Sequence, residues 1–233
     1  MKYAETIGIV GGMGSYATLD FFRRILDAFP AEKEWDRPRI VIDNRCTMPS
    51  RVRAILYQEE KETIVRELVD AVRGLLACGA DYLVFGCNTS HVFVPDVFRV
   101  IPEAESKTVH IIETLARRLK ACDIASAYLL ASEGTIESRI YQNIFSRFGI
   151  SLDAPALDDC SVIREYIEIV KQNQGIQNAK ARFYDFCEAL PYENIILGCT
   201  ELPVLLPAGQ LRSGKMLWDP LDAAIDYIKS IIK

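Results

Sequence analysis

The feature that most constrains this chain is a motif that occurs once in each half. Residues 83–89 read Leu-Val-Phe-Gly-Cys-Asn-Thr, and residues 195–201 read Ile-Ile-Leu-Gly-Cys-Thr-Glu. Each motif is an apolar run of strand length followed by Gly, Cys and a small polar residue. Such a strand places a thiol at the carboxyl edge of a parallel sheet, where α/β proteins bind their ligands. The two thiols, Cys87 and Cys199, could therefore face one substrate from opposite sides, which suits moving protons on and off the two faces of a carbon.

Composition narrows the class of protein. The 233 residues are 50% hydrophobic and 25% charged, which favours one large or two small folded domains. A net charge of −5 argues against a nucleic-acid binder. No apolar run reaches the ~18 residues of a membrane span. Since residues 1–6 also lack the apolar core of a signal peptide, we expect a cytoplasmic protein with no membrane partner.

Cysteine and histidine usage argues against cross-links and metals. The seven cysteines are an odd number and are widely spread, so a disulfide framework is not expected. No Cys-x-x-Cys pair occurs, and the histidines are His91 and His110 alone. We therefore expect no metal site.

Strand-like and helix-like segments alternate along the chain, which predicts an α/β fold with parallel sheets flanked by helices. The predicted strands are residues 7–10, 39–43, 82–85, 124–131, 150–155, 195–197 and 215–218. The predicted helices are residues 16–29, 57–78, 113–120, 134–148, 159–172 and 177–190, with a last one from residue 220. This pattern predicts two similar domains, residues 1–103 and 104–210, with residues 211–233 packing back to complete the first domain.

A glycine-rich loop, residues 11–14, separates the first predicted strand from the first helix. Residues 12–17 match the dinucleotide pattern G-x-G-x-x-A, but the strand-end acid that should follow by about 20 residues, Asp43, lies too far along. Three interpretations stay open. The loop could hold a carboxylate or other substrate group on its backbone N–H groups, which we favour, or bind a nucleotide, or simply make a tight turn.

Three motifs form an ordered set along most of the chain. They are Gly11-Gly12-Met13-Gly14 with Ala17-Thr18, Cys87-Asn88-Thr89-Ser90-His91, and Gly198-Cys199-Thr200-Glu201. In this order they resemble the PLP-independent aspartate/glutamate racemases, in particular the aspartate racemase branch. The segments around Arg51 and from Leu130 to Tyr141 agree with that family. The resemblance implies two α/β domains related by a pseudo-twofold axis, an active site in the cleft between them, no cofactor, and a homodimer.

Specific residues depart from the family pattern. Ser15 replaces a Pro, Ser132 replaces a Thr, and Ser50 replaces the Asp that precedes the arginine. Ser50 removes a charge beside Arg51, while Arg53 adds a cation, so the identity of the substrate is affected more than the reaction class. The first loop carries Gly-Gly where the glutamate racemases carry Asp-Ser, which favours the aspartate branch.

The resemblance implies that Cys87 and Cys199 are the catalytic pair. One thiolate would remove the α-proton of an amino acid while the opposite thiol returns a proton, and the roles would reverse for the other enantiomer. Both cysteines precede predicted helix starts, which lower thiol pKa values, so we expect a thiolate to be accessible near neutral pH. The alternative is that both are small buried core residues.

The resemblance also implies a set of substrate-binding residues. Donors to the α-carboxylate would be Met13, Gly14, Asn88, Thr89, Ser132, Gly134, Thr135 and Thr200. Arg51 would clamp a side-chain carboxylate, and Lys171 aligns with a lysine that aspartate racemases use for the same purpose. The alternatives are a loop cation for Arg51 and a solvated helix end for Lys171.

Two further motif residues have open roles. His91 could tune the Cys87 thiol, hydrogen-bond an acid, or cap a helix. Glu201 could hydrogen-bond the site beside it or stabilise a helix N-terminus. No motif surrounds His110, which is expected to be structural.

The sequence thus predicts cofactor-independent racemisation of a small acidic amino acid, and the conversion of L-aspartate to D-aspartate is the expectation that we favour. Alternatives are a glutamate or broad-specificity amino-acid racemase, or a sister isomerase similar to maleate isomerase. A related decarboxylase is disfavoured by the presence of both cysteines. A non-catalytic amino-acid-binding protein and an NAD-dependent oxidoreductase are the alternatives of a different class.

Overall fold

The computed structural model describes residues 3–232, which form two sheets with helices packed around them. The first sheet is parallel and has the strand order β2-β1-β3. Its strands are β1 (Thr6–Gly11), β2 (Arg39–Asn44) and β3 (Tyr82–Phe85). The helices from this half are α1 (Ser15–Ala28), α2 (Arg51–Tyr57), α3 (Lys61–Ala77), α4 (Val94–Val100) and α5 (Glu103–Lys107).

The second sheet has the order β5-β4-β6-β8-β7, with β7 antiparallel to β8 and the other pairs parallel. Its strands are β4 (Ser126–Leu130), β5 (Ser151–Asp153), β6 (Asn194–Leu197), β7 (Gly209–Gln210) and β8 (Met216–Trp218). Its helices are α6 (Ile111–Ala121), α7 (Glu133–Glu137), α8 (Ile140–Ser146), α9 (Ser161–Gln172), α10 (Ile176–Ala189), α11 (Leu202–Leu205) and α12 (Pro220–Ile231).

The two sheets share a repeated order, which confirms the predicted α/β fold. The order β2-β1-β3 in the first sheet corresponds to β5-β4-β6 in the second. In each half, the strand that precedes a Gly-Cys pair, β3 or β6, lies beside the first strand of its sheet. The repeat in the sequence is therefore a repeat in topology. Within residues 3–232, no helix is long and apolar enough to cross a membrane.

The C-terminal segment differs from the prediction. Strand β8 pairs with β6, with Leu217 opposite Ile195, so it extends the second sheet and does not complete the first. Helix α12 packs mainly against α6 but also contacts α1, where Arg24 donates to both Asp219 and Asp222. The prediction for residues 211–233 was wrong for the strand because its short apolar run carries no signal for which sheet it joins. The boundary between residues 103 and 104 stays a prediction.

Two predicted helices differ from the observed ones. The segment predicted as one helix, residues 57–78, corresponds to α3 and shares only its first residue with α2, because Gln58 and Glu60 between the two helices adopt left-handed backbone conformations; α2 itself was not predicted. The segment 134–148 is broken at Arg139, which has a φ of 53°. Hydrophobic periodicity does not report such single-residue breaks. The first break matters here because it makes α2 a separate helix that begins at Arg51.

We expect Gly198→Ala to destabilise the fold, because the glycine before Cys199 is packed on all sides. An added Cβ would lie 2.5 Å from Leu129 Cδ1 and 3.1 Å from the Leu130 carbonyl oxygen. The free energy of unfolding should fall by about 1–3 kcal/mol in urea denaturation, as in other overpacked cores. Gly74→Ala in α3 is the control, since no atom lies within 4 Å of its added Cβ. It should raise stability by about 0.5–1 kcal/mol. Equal effects from both substitutions would contradict the packing argument.

Candidate active site

Both motif cysteines line one small cavity between the two halves of the chain. Cys87 follows β3 and Cys199 follows β6, and each is placed by a hydrogen bond that extends the strand ladder. The Gly86 N–H donates to the Val10 carbonyl at 2.9 Å, and the Gly198 N–H donates to the Leu130 carbonyl at 2.7 Å. The cavity has a volume of about 40 Å³, and the other residues that line it are Met13, Ser50, Arg51, Val52, Asn88, Thr89, Ser132, Ile167, Lys171, Thr200 and Glu201.

The cavity gathers most of the predicted site residues and adds two that sequence reasoning missed. Val52 follows Arg51 directly and Ile167 lies outside every motif; both side chains are apolar, and no residue with an apolar side chain other than Met13 was predicted for the site. Gly14, His91, Gly134 and Thr135 were predicted for the site but do not line the cavity, and each contacts a residue that does. Their contacts define supporting roles, as described below.

Three hydroxyl groups form a buried cluster across the two halves. Thr89 Oγ1 lies 3.1 Å from Ser132 Oγ and 2.8 Å from Thr135 Oγ1, and the last two oxygens are 3.1 Å apart. Ser132 also caps α7, where its side chain accepts from the Thr135 N–H. Thr89 and Ser132 line the cavity, whereas Thr135 does not and contacts both of their hydroxyl groups.

Asn88 offers an unused donor to the cavity. It is 2% exposed, and its Oδ1 accepts a hydrogen bond of 2.7 Å from the hydroxyl of Tyr141. Its Nδ2 is buried and has no hydrogen-bond partner among residues 3–232. Buried amide donors are costly when unpaired, so this group is suited to a ligand oxygen. Tyr141 is completely buried. It ends the segment from Leu130 that agrees with the family, but its role in orienting Asn88 was not predicted.

The guanidinium group of Arg51 is fixed against the backbone at the cavity wall. It donates to the carbonyl oxygens of Met48, Pro49 and Met13, the last at 3.0 Å from Nη2. Its Nε is buried and has no partner within the described chain. The arginine is therefore at the site, as predicted, but held by three carbonyls. Ser50 caps the helix that Arg51 begins, since its Oγ accepts from the Arg53 N–H. Serine and aspartate are both good N-caps, so this departure from the family pattern preserves the helix start.

Lys171 is the second cation at the cavity. Its Nζ lies 3.0 Å from Glu168 Oε1, and its stem lies beside the glycine-rich loop, with Cγ 3.5 Å from a Cβ built on Gly14. Burial alone would lower the pKa of the Lys171 ammonium, but the acidic groups around it, chiefly Glu201, raise it above its ordinary value. The lysine is thus a stable positive charge facing Cys199 and Glu201.

A buried carboxyl group adjoins Cys199. Cys199 Sγ lies 3.0 Å from Oε2 of Glu201, which is 2% exposed. Burial raises the pKa of the Cys199 thiol well above its ordinary value, and the Glu201 charge and hydrogen bond raise it further, while Lys171 lowers it. The expected accessible thiolate is thus not what this site favours at Cys199. The following helix, α11, has four residues, too few for a strong dipole to offset these effects.

His91 holds the backbone of Cys87. Its Nδ1 lies 2.9 Å from the Cys87 carbonyl oxygen, which requires a proton on Nδ1. Burial, and then the neighbouring His110, lower the pKa of His91 well below its ordinary value, so the ring is neutral. His110 packs against it with ring centroids 4.5 Å apart and caps α6 by accepting from the Glu113 N–H. The structure thus gives His91 a fourth role, a contact with the Cys87 backbone.

Steric packing accounts for most of the glycine-rich loop. Gly12 has a φ of +82°, and a Cβ there would lie 2.4 Å from the Arg45 backbone nitrogen. A Cβ on Gly11 would lie 2.5 Å from Thr18 Cγ2, and one on Gly14 would lie 3.0 Å from Glu201 Oε1. The first two glycines therefore make the turn, and Gly14 leaves room for the carboxyl group of Glu201.

We expect Tyr141→Phe to lower stability by about 1–3 kcal/mol, because Asn88 Oδ1 would lose its donor in a buried position. Urea denaturation followed by circular dichroism measures the change. Tyr184→Phe is a matched control, since the Tyr184 hydroxyl pairs with Glu188 near the surface, where water can replace it. A loss of stability in Tyr184→Phe as large as that in Tyr141→Phe would contradict the argument that the buried Asn88 side chain depends on the Tyr141 hydroxyl.

Comparisons with known proteins agree with this architecture. The family model described as Asp/Glu/Hydantoin racemase matches residues 10–228. The chain is 26% identical over 207 residues to the broad specificity amino-acid racemase RacX of Bacillus subtilis (strain 168), covering 86% of this chain and 87% of that protein. That relative is an amino-acid racemase, and amino-acid racemases are isomerases.

Solved structures have the same fold. The aspartate racemase of Picrophilus torridus superposes with a TM-score of 0.83 at 25% identity, covering 97% of this chain and 94% of that chain. The glutamate racemase isoform RacE1 from Bacillus anthracis has a TM-score of 0.68 at 18% identity, covering 98% and 82%, and shows the fold alone. The resemblance seen in the motifs is confirmed, and the chain belongs to the Asp/Glu/hydantoin racemase family of isomerases.

Proposed function

We propose that this protein interconverts the enantiomers of an acidic amino acid, aspartate first, with Cys87 and Cys199 as the proton acceptor and donor. The observation that carries the proposal is that both thiols line one cavity together with an unpaired amide donor and two cations. A dicarboxylic amino acid needs this set: donors for the α-carboxylate, a cation for the side chain, and a group on each side of Cα.

The proposed reaction needs no group from outside the chain. The Cys87 thiolate takes the Cα proton, and the electron pair left on Cα is stabilised by donors to the α-carboxylate. Asn88 Nδ2 and the hydroxyls of Thr89 and Ser132 are placed for that task. The Cys199 thiol then gives its proton to the opposite face. One proton is removed and one returned, and the roles reverse for the other enantiomer.

Substrate entry requires the cavity to open, since about 40 Å³ holds only a few water molecules. Arg51 and Val52 in the lining belong to α2, Ser132 caps α7, and these two helices pack against each other. There a Cβ on Gly134 would lie 3.0 Å from Val52 Cα, so Gly134 permits the close approach. We therefore include a separation of α2 from α7 in the proposed cycle.

A broader substrate range is the second candidate. The Nη1 and Nη2 groups of Arg51 donate to backbone carbonyls, which leaves Lys171 as the more available cation for a side-chain carboxylate. The relative RacX is described as a broad specificity racemase. The range of amino acids accepted therefore separates the two candidates.

The homodimer and the cytoplasmic location remain proposals from the family resemblance and the sequence. Light scattering of the purified protein would test the first, since a mass of twice 26.3 kDa is expected. Fractionation of the source cells would test the second.

We expect purified protein to convert L-aspartate to D-aspartate in D2O without an added cofactor, with deuterium entering at Cα. Cys87→Ser and Cys199→Ser should each lose D-aspartate formation by about 10²-fold or more, because a hydroxyl is a far weaker acid than a thiol. Cys122→Ser is the control, since that exposed cysteine lies at the end of α6. Retained racemisation in either of the first two variants would rule out the two-thiol mechanism.

We expect Lys171→Met to raise KM for aspartate about 10- to 100-fold, the value of one charge-assisted hydrogen bond. The same change should affect alanine turnover, if any occurs, much less. Lys180→Met, on an exposed position of α10, should leave both unchanged. A panel of L-amino acids assayed for their D-enantiomers would separate the acidic from the broad-specificity candidate. An unchanged KM for aspartate in Lys171→Met would exclude this lysine from substrate recognition.

A further inference from the structure

The two copies of the repeated motif differ in one buried charge. The repeated motif places Asn88 and Thr89 after Cys87, but Thr200 and Glu201 after Cys199. The side chains of Asn88 and Thr89 are neutral and bond to Tyr141, Ser132 and Thr135. The corresponding segment beside Cys199 carries a carboxyl group. The pseudo-symmetric pair of thiols therefore lies in an asymmetric electrostatic environment.

The side chain of Glu201 contacts Cys199. Oε2 lies 3.0 Å from Cys199 Sγ and 3.4 Å from Thr200 Oγ1. Oε1 is buried, and among residues 3–232 it has no hydrogen-bond partner. Although Glu201 precedes α11, its side chain makes no capping bond to that helix. The sequence left two roles open for Glu201: a hydrogen bond to the site beside it, or stabilisation of a helix N-terminus. The contacts are those of the first role.

The contact brings a proton donor and an acceptor together. The thiol of Cys199 donates and Oε2 of Glu201 accepts, which is the direction in which a carboxylate can take part. A thiolate at the same place would put two negative charges 3.0 Å apart in a buried site. Such like charges repel strongly where water is excluded, so the pair retains at least one proton.

The other groups that face Cys199 moderate this effect without reversing it. Lys171 lowers the pKa of the Cys199 thiol, whereas Glu201 and Cys87 raise it, and burial is the largest contribution. Tyr141 is a neutral phenol, because burial raises its pKa well above the ordinary value. Glu168 forms an ion pair with Lys171, so its negative charge offsets part of the positive charge that Cys199 experiences from Lys171. The balance of these charges keeps the proton on Cys199.

We propose that Glu201 is a positioning residue that holds the proton on Cys199, so that the first turnover uses Cys199 as the proton donor and Cys87 as the acceptor. The inference rests on the proposed racemase function. The free enzyme is then ready for the enantiomer whose Cα proton faces Cys87.

Turnover in that direction leaves the proton on Cys87 and a thiolate on Cys199 beside the Glu201 carboxylate. Repulsion makes this form unstable. The enzyme returns to its resting form when Cys199 regains a proton from water and Cys87 releases the one that it took. No net proton is gained or lost over the cycle.

Single-cysteine variants separate the two halves of this reaction. In Cys87→Ala, Cys199 alone can act as base, and it exchanges the Cα proton of one enantiomer for deuterium without inversion. In Cys199→Ala, Cys87 alone can do so with the other enantiomer. The exchange rate of each variant is measured from pH 6 to pH 11, with and without Glu201→Gln.

We expect Glu201→Gln to move the midpoint of the Cys199-dependent profile to lower pH, because removing a negative neighbour favours the thiolate. A shift of about one unit would raise the rate at pH 7 about tenfold. The Cys87-dependent rate should change less than twofold. Glu201→Asp should retain the high midpoint and serves as a check that the site remains folded. An unmoved Cys199 midpoint, or equal shifts in both profiles, would overturn the inference.

A second measurement separates this inference from the proposed function. In Cys87→Ala, the rate at which iodoacetamide alkylates Cys199 is followed against pH by mass spectrometry of the peptide that contains it. The midpoint should fall in Glu201→Gln and not in Glu201→Asp. If it falls while no variant exchanges the Cα proton of any amino acid, the racemase proposal fails and the Glu201–Cys199 coupling stands. If it does not fall, the coupling is wrong whatever the enzyme does.

Discussion

Two backbone hydrogen bonds at the strand ends determine the rest of this site. The Gly86 N–H bonds to the Val10 carbonyl, and the Gly198 N–H bonds to the Leu130 carbonyl, so each glycine continues its parallel ladder by one residue. The next residue in each case is a cysteine, which the ladder therefore places at the sheet edge with little freedom. Because the two sheets share one strand order, the two thiols arrive at the same cavity from opposite halves.

Sequence reasoning succeeded where the information is local. An apolar run followed by Gly-Cys identifies a strand end, so the strands that carry both cysteines could be predicted from the residues, whereas most of the other cavity residues were implied by the resemblance to the racemase family. It failed where a contact joins distant positions. The Tyr141–Asn88 bond spans 53 residues, and the pairing of β8 with β6 depends on tertiary packing. Neither leaves a periodic signal. The break between α2 and α3 was missed for the opposite reason, since it rests on the backbone conformation of two residues.

Electrostatics is the respect in which the two halves are not equivalent. The groups that bond to the Cys87 segment are neutral: a hydroxyl cluster, an amide, and a buried histidine whose pKa is lowered by burial and by His110. Arg51, the cation on this side, is held by three backbone carbonyls. The Cys199 half holds Glu201 and faces Lys171. A racemase must treat two enantiomers through nearly mirror-related geometry, but its thiols need not share a pKa. A fixed charge beside one of them removes the ambiguity about which one carries the proton before substrate arrives.

The small cavity and the shared core together limit how the site can open. One hydrophobic cluster runs from Ile9 and Phe21 in the first half to Leu115 and Leu129 in the second, so the halves are joined by a continuous core away from the site. At the site they meet through α2 and α7, where Gly134 allows close approach, and through α1, which contacts α9 and α11. Because α2 and α7 are only seven and five residues long, separating them exposes less apolar surface than separating the core. In the cycle proposed above, opening by rotation about the core would admit the substrate, and closure would return Arg51 to the cavity wall and exclude water around the two thiols.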